Sequence, residues 1–394
     1  MTTMMQRLRL DIVAAYAARL ALTLVSLAMR VLPRRDKVTL LTRQSDRPPS
    51  DFALLKQAIL RADPGVEVQM IAKMVPPGVI RKFGYAAHLL VEMYHVSTSR
   101  VLVVDGYSII ASATPRSDGL TVVQLWHALG ALKKFGVSIL GRRGGRDPKL
   151  AKAMRMHDGY DIVIASAERC RAPFADAFGV DVSKVVVAPL PRVDRLRDPA
   201  VAAKVRKRFE YLYPDLVGRK VALYAPTFRT EGLDPTVDPL DLTRAMADAG
   251  YATITKLHPL VPAPTGAGLR TAPGLSTQEM LLVADVFITD YSSAVFEAAV
   301  AGVPSYLIAP DRDEYTQRRD FYISFPDDLG LPLAETLDQL VQQVEEGAAD
   351  AGTMERLLHE FVAVDDSGGV TAAADRLAQV CLPHHASHSD HPRE

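Results

Sequence analysis

The chain has 394 residues, and 46 Lys+Arg against 46 Asp+Glu leave it with no formal net charge. That balance excludes a polybasic nucleic-acid binder, and 48% hydrophobic against 23% charged residues excludes a disordered chain. Two cysteines, Cys170 and Cys381, offer neither a disulfide framework nor a cysteine metal cluster, which fits a reducing compartment.

The first element, residues 8–32, is rich in Leu, Ala and Val but carries Arg9, Asp11, Arg19 and Arg30. Its uninterrupted apolar part, Leu20 to Met29, is shorter than the roughly 20 residues that cross a bilayer. With Arg7, Arg9, Arg34 and Arg35 at its edges, it is read as an amphipathic helix on an anionic membrane surface. A packed terminal helix is the alternative, and a signal or spanning segment the weakest reading.

Short β-branched runs then alternate with helical stretches, the rhythm of parallel sheets covered by helices. Strands are predicted at Val38–Thr42, Val66–Met70, Val101–Asp105, Val122–Leu125, Asp161–Ala165 and Lys184–Ala188. A second series follows at Val221–Tyr224, Tyr251–Thr255, Val286–Thr289 and Pro304–Ile308. Helices are predicted at Asp238–Ala249, Ser276–Val283, Ser293–Val300 and Pro332–Glu346, with Ser276 and Glu279 at capping-box spacing. The expected fold is α/β, with two doubly wound parallel-sheet domains facing a cleft.

The expected organisation is a membrane-associating or packed helix over 1–35, an N-terminal α/β domain over 36–195 and a connecting helix over 196–220. A C-terminal α/β domain over 221–350, a helical region over 351–382 and a flexible His-rich tail over 383–394 complete it.

Polar residues cluster where predicted strands end. His127, in Leu125-Trp126-His127-Ala128-Leu129-Gly130, either enters the cleft as a base for an attacking hydroxyl or packs structurally. Lys133 and Lys134 either attract phosphate or sit on a solvated helix face. In Tyr224-Ala225-Pro226-Thr227-Phe228-Arg229, Thr227 and Arg229 are offered to a ligand, and a planar guanidinium can engage two phosphate oxygens. A structural salt bridge is the alternative for Arg229. His258, between Leu257 and Pro259, can donate to a diphosphate or stabilise its departure. In Thr289-Asp290-Tyr291-Ser292-Ser293, the hydroxyls either cap the next helix or cradle phosphate at its positive end, and Asp290 can orient a histidine or a sugar hydroxyl.

Taken together, Leu125–Gly130 with Lys133 and Lys134, Pro191-Arg192-Val193-Asp194, Tyr224–Arg229, Leu257–Pro259 and Asp285–Ser293 resemble the CDP-glycerol glycerophosphotransferase family of teichoic-acid primases and polymerases. Pro304, Asp313–Tyr315 and Arg319–Tyr322 look similar as well, so the likeness runs from Val101 to Tyr322. The resemblance implies a GT-B-like fold and transfer of a polyol phosphate from a cytidine-diphosphate donor, CDP-glycerol, to a membrane-linked glycan or polyol-phosphate acceptor, releasing CMP. The expected location is peripheral, on the cytoplasmic face of the cell membrane.

It further implies His127 and His258 as catalytic residues. Arg229, Thr227, Thr289, Asp290, Ser292, Ser293 and Glu297 are implied around the donor phosphates and nucleotide, and Lys133, Lys134 and Arg192 on the acceptor or phosphate side. Two positions depart from the family pattern: Ala128 stands where glycine is usual, and Glu297 where aspartate is common. The reaction can be written without a cofactor or a metal, and the oligomeric state stays open. A ribitol-phosphate transferase, a nucleotide-sugar glycosyltransferase and a non-catalytic nucleotide- or carbohydrate-binding scaffold are the alternatives.

Overall fold

The computed structural model describes residues 2–76, 79–116, 118–142, 144–227, 237–257, 268–364 and 371–382. The tail expected over 383–394 lies outside these, as do Arg229 and His258.

Ten predicted strands form. The first sheet contains β1 (Lys37–Thr42), β2 (Glu67–Ala72), β3 (Val101–Val104), β4 (Thr121–Gln124), β5 (Ile162–Ala165) and β6 (Val185–Val187). All its pairs are parallel, in the order β2-β1-β3-β4-β5-β6. The second holds β7 (Lys220–Tyr224), β8 (Tyr251–Thr255), β9 (Val286–Thr289), β10 (Ser305–Ile308) and β11 (Leu333–Ala334). Its order is β11-β10-β9-β7-β8, again wholly parallel. Two doubly wound lobes of this kind make the fold GT-B-like.

The segment read as one helix over 332–346 divides: Leu333–Ala334 pairs with β10 as β11, and a helix, Leu337–Glu345, starts only after Thr336 caps Gln339. A two-residue edge strand carries too little periodicity to be told from a helix start. The capping box of Ser276 and Glu279 forms as expected.

Both faces of a parallel sheet must be covered, and the second sheet shows the alternation this demands. Val221, Leu223, Phe287 and Leu307 point into a core continuous with that of the first lobe. Ala222, Tyr224, Val286, Ile288, Tyr306 and Ile308 point the other way into a separate core. The chain then returns to the first lobe. Phe361 stacks on Phe296 at 4.7 Å, and Ser166 Oγ donates to the Phe361 carbonyl at 2.7 Å. Asp194 accepts from the amides of Ala373 and Ala374 at 3.0 and 2.9 Å, holding the start of the helix Ala372–Cys381.

The N-terminal helix α1 (Thr2–Met29) is continuous, and its stretch Leu10–Met29 is long and apolar enough by length and composition to cross a membrane. The helix runs unbroken through Asp11 and Arg19, although its charge-free part remains Leu20–Met29. Leu22 and Ser26 are buried, and Val25 and Met29 pack on the core beside them. On the opposite side Leu10, Val13, Leu20, Leu24, Leu27 and Val31 are exposed, three to seven residues apart, as one apolar ridge.

Candidate active site

In an open parallel sheet, ligands bind beyond the carboxyl ends of the strands where the order reverses. In the first sheet that point lies between β1 and β3; in the second it lies between β7 and β9. The motifs after β7 and β9 sit at the second of these points, and the His127 motif follows β4, the neighbour of β3, because each β-branched run closes with a polar residue and a turn.

His127 leaves the end of β4. Its Nδ1 lies 2.9 Å from the carbonyl oxygen of Asp105, the residue after β3. A carbonyl only accepts, so Nδ1 carries the proton and Nε2 keeps its lone pair in the neutral ring. The residue before it, Trp126, adopts φ +62°, a left-handed backbone that costs a bulky side chain about 1–3 kcal/mol. Packing and hydrogen bonding hold it there. The Trp126 amide donates to Gln124 Oε1 at 3.0 Å, Gln124 Nε2 donates to the Gly106 carbonyl at 3.1 Å, and the indole stacks on Phe135 at 4.5 Å. The kink turns the imidazole outward, so His127 is exposed in the cleft while its neighbours Leu125 and Leu129 are buried.

Surrounding protein lowers the proton affinity of His127 below the ordinary histidine range, chiefly through desolvation. The Asp105 carbonyl, Glu297 and Asp51 work against that shift, and Arg192 with it. Asp105 itself, buried at the end of β3, has its carboxyl pushed up to about 6 by burial.

Across the cleft, Asp290 follows β9 and is 3% exposed. Its Oδ1 accepts from the amide of Thr227, just beyond β7, at 2.7 Å and from the amide of Tyr291 at 2.6 Å. This carboxylate therefore stitches the two switch-point loops together. Thr227 Oγ1 is buried with no hydrogen-bond partner among the described residues. Ser292 and Ser293 are half-buried at the start of the helix Ala294–Ala301. Ser292 Oγ accepts from the Ala294 amide at 3.2 Å, whereas Ser293 occupies the cap position without a side-chain cap bond.

Other expected site residues are placed differently. Thr289 is fully buried and its hydroxyl donates to the Ala225 carbonyl at 2.7 Å, tying β9 to β7 rather than reaching a ligand. Its position inside the strand dictates this. Arg192, expected on the acceptor or phosphate side, and Glu297, expected around the donor, bind each other, Arg192 Nη1 donating to Glu297 Oε1 at 2.5 Å. Arg192 also donates to Asp51 Oδ2 from Nε at 2.9 Å and Nη2 at 2.5 Å, and its amide donates to Asp51 Oδ1 at 2.7 Å. Burial opposes the arginine charge, but the two carboxylates more than offset it and hold the guanidinium firmly cationic.

Lys133 and Lys134 lie where the lobes meet. Lys133 bridges to Phe321 through the backbone, and its Nζ donates to Tyr315 Oη at 3.4 Å. The Lys134 amide donates to the Asp320 carbonyl at 2.9 Å, and its Nζ stands 5.9 Å from the Tyr322 ring. Among the described residues no group of three or more His, Cys, Asp or Glu is arranged to hold a metal. Asp51 and Asp105 were missed from the sequence. Asp51 opens a helix far from every motif, and Asp105 contributes through its backbone, which no residue type reveals.

The family model for CDP-Glycerol:Poly(glycerophosphate) glycerophosphotransferase matches residues 23–370. The chain belongs to this family. A teichoic acid ribitol-phosphate primase of Bacillus spizizenii is 30% identical over 368 residues, covering 90% of this chain and 94% of the primase. A poly(ribitol-phosphate) polymerase of the same organism is 31% identical over 369 residues, covering 90% of this chain and 58% of the polymerase. The wall teichoic acid polymerase TagF superposes with a TM-score of 0.69 at 17% identity, over 96% of this chain and 98% of the TagF chain, and so shares the fold. As a glycerophosphotransferase family member the chain is an enzyme, a phosphotransferase.

Proposed function

We propose that the chain transfers a polyol phosphate from a cytidine-diphosphate donor to a hydroxyl of a membrane-linked glycan or polyol-phosphate acceptor, with His127 as the base. The observation that carries this reading is the orientation of the imidazole. With Nδ1–H held by the Asp105 carbonyl at 2.9 Å, Nε2 is the atom free to take a proton. Desolvation keeps the ring neutral near pH 7, as a base must be.

The acceptor oxygen attacks the phosphorus that bears the polyol. Its new O–P bond forms as the bond from that phosphorus to the CMP oxygen breaks; the hydroxyl proton passes to Nε2 and the electron pair leaves with CMP. A single displacement of this kind inverts the phosphorus. Thr227, Ser292, Ser293 and the start of the helix Ala294–Ala301 are assigned the donor diphosphate, since the buried Thr227 hydroxyl has no partner among the described residues and the positive end of a helix dipole favours anions. Asp290 fixes these loops. Arg229 and His258, outside the described residues, are assigned to the same diphosphate from the family motifs, and Lys133 and Lys134 to acceptor phosphate. The first lobe would thus serve the acceptor and the second the donor. The exposed ridge of α1 is assigned to the cytoplasmic membrane surface, where apolar side chains enter the interface.

Glycerol phosphate is the group the family description names, and CDP-glycerol is the first donor proposed. Ribitol phosphate is the second reading, favoured by the two Bacillus spizizenii relatives that cover 90% of this chain. Product-resolved turnover with CDP-glycerol and CDP-ribitol over membrane acceptors separates them. Acceptor-dependent CMP release with a glycerol-phosphate adduct supports the first, exclusive ribitol-phosphate transfer establishes the second, and no acceptor-dependent release from either overturns both. His127→Ala should lower the single-turnover rate by about 100-fold or more while donor binding persists. Normal single-turnover chemistry in that variant refutes the base assignment.

A further inference from the structure

Three charged side chains from three helices meet beneath the candidate site. Asp51 lies in the first turn of the helix Ser50–Ala62, Arg192 opens the helix Arg192–Arg197, and Glu297 belongs to Ala294–Ala301. Asp51 and Arg192 belong to the first lobe and Glu297 to the second. Their side chains are 4%, 10% and 13% exposed. Glu297 Oε1 also accepts from Gln278 Nε2 at 3.1 Å, so the carboxylate is fixed from its own lobe as well as from across the cleft.

Burying an ion cluster is weak support for stability, because desolvation offsets most of the attraction and apolar side chains of similar volume often serve as well. Where it lies is therefore informative. Gly130, three residues after His127, packs against the ring of Phe296, the residue before Glu297, which brings the His127 segment onto the helix that carries one arm of the triad; the three charges bear on the imidazole, and Asp51 and Arg192 also on Asp105, whose carbonyl holds Nδ1. Two carboxylates against one guanidinium leave a single net negative charge beside a ring that must carry a proton during the reaction. The triad also joins the base in one lobe to the helix in the other whose start is assigned the donor diphosphate.

We propose that Asp51, Arg192 and Glu297 form a positioning device for the transfer: the Arg192–Glu297 arm sets the spacing of the lobes, and the net negative charge stabilises His127 while it holds the acceptor's proton. This rests on the reading of His127 as base. None of the three touches the reacting atoms; they act through His127 and through the lobe spacing.

The test is the pH profile of single-turnover transfer, with the donor that proves active, in the full chain. Glu297→Gln keeps the shape and one hydrogen bond to Arg192 but removes the net charge, so the acidic limb should move down by about half a unit or more and the plateau rate should fall several-fold. Donor KM should change little. Asp51→Asn should move the limb the same way, and it stands in if Glu297→Gln does not fold. Glu297→Asp keeps the charge and shortens the arm, so its limb should stay at the wild-type position while the rate falls.

The charged groups that bear on His127 are Asp51, Arg192 and Glu297, with Asp105 behind it, just after β3. Because burial pushes the Asp105 carboxyl up to about 6, the series is repeated in Asp105→Asn, which keeps the backbone carbonyl. A folded Glu297→Gln or Asp51→Asn variant with an unmoved limb and a normal rate overturns the proposal. So does a rise confined to donor KM, which would place Glu297 on the nucleotide. Failure of the underlying reading is separate: His127→Gln with wild-type rate and limb would remove the base itself, whatever the triad variants do.

Discussion

Gly130 closes the Trp-His-Ala-Leu-Gly segment at φ +64°, a conformation that costs a residue with a Cβ about 1–2 kcal/mol. An added Cβ would stand 2.2 Å from Phe296 Cε2 and 2.3 Å from Cδ2. The ring has little room to retreat, because Phe296 is fully buried and stacked on Phe361 at 4.7 Å. Forcing a methyl into such a core adds about 1–3 kcal/mol, so Gly130→Ala should lose about 2–5 kcal/mol in all. Denaturant unfolding reads this as a lower midpoint with an unchanged slope. Transfer should also slow at temperatures where the variant is folded, because Phe296 immediately precedes Glu297 and its displacement pulls on Arg192. Combining Gly130→Ala with Phe296→Leu relieves the overlap but not the backbone cost, so the two changes should couple favourably by about 1 kcal/mol or more. A loss below about 1 kcal/mol, or simple additivity of the two substitutions, would refute the contact as the cause.

Further expectations follow from the same geometry. His157 is buried, with Nδ1 3.0 Å from Tyr160 Oη, and burial followed by Arg146 lowers its pKa to about 4. The unfolded chain takes up that proton near pH 6.5, so stability should fall by about 3 kcal/mol as pH drops from 6.5 towards 4. His157→Asn, which tolerates the local φ of +62°, should flatten that acid slope in unfolding midpoints measured against pH, and an unaltered slope would exclude His157 as its source. Thr289→Val removes the hydroxyl bonded to the Ala225 carbonyl and should cost about 1–3 kcal/mol of stability with donor KM unchanged; a raised KM at full stability would return Thr289 to the donor site. Leu20→Glu with Leu24→Glu alters the exposed ridge of α1 and leaves its docked side intact, so sedimentation with anionic liposomes should drop sharply, and undiminished sedimentation would exclude the ridge as the contact.

The strand runs and the polar residues that end them were legible because both are local. Alternating β-branched residues specify a strand wherever it lies, and a polar residue at its carboxyl end falls at the same rim in any doubly wound sheet. That local code puts His127, Thr227, Asp290, Ser292 and Ser293 just beyond the carboxyl ends of β4, β7 and β9, where the structure has them. Thr289 shows its resolution limit. One residue of difference along a strand decides whether a hydroxyl stays inside the sheet or clears its end, and the pattern does not fix strand ends that finely.

The tertiary structure alone decided which charges face one another. Asp51 and Arg192 are separated by 141 positions, and Arg192 and Glu297 by 105. No period or spacing in the chain connects them, because the first pairing depends on how the first lobe packs and the second on how the two lobes dock, and neither on any single helix or strand. The same holds for the Asp105 carbonyl, which selects the proton-bearing nitrogen of His127 through a backbone atom that every residue possesses. Amino-acid order thus determined the lobes, the family and the strand-end motifs, whereas the protonation pattern of His127 and the burial of Arg192 arose from long-range contacts formed only when the sheets packed.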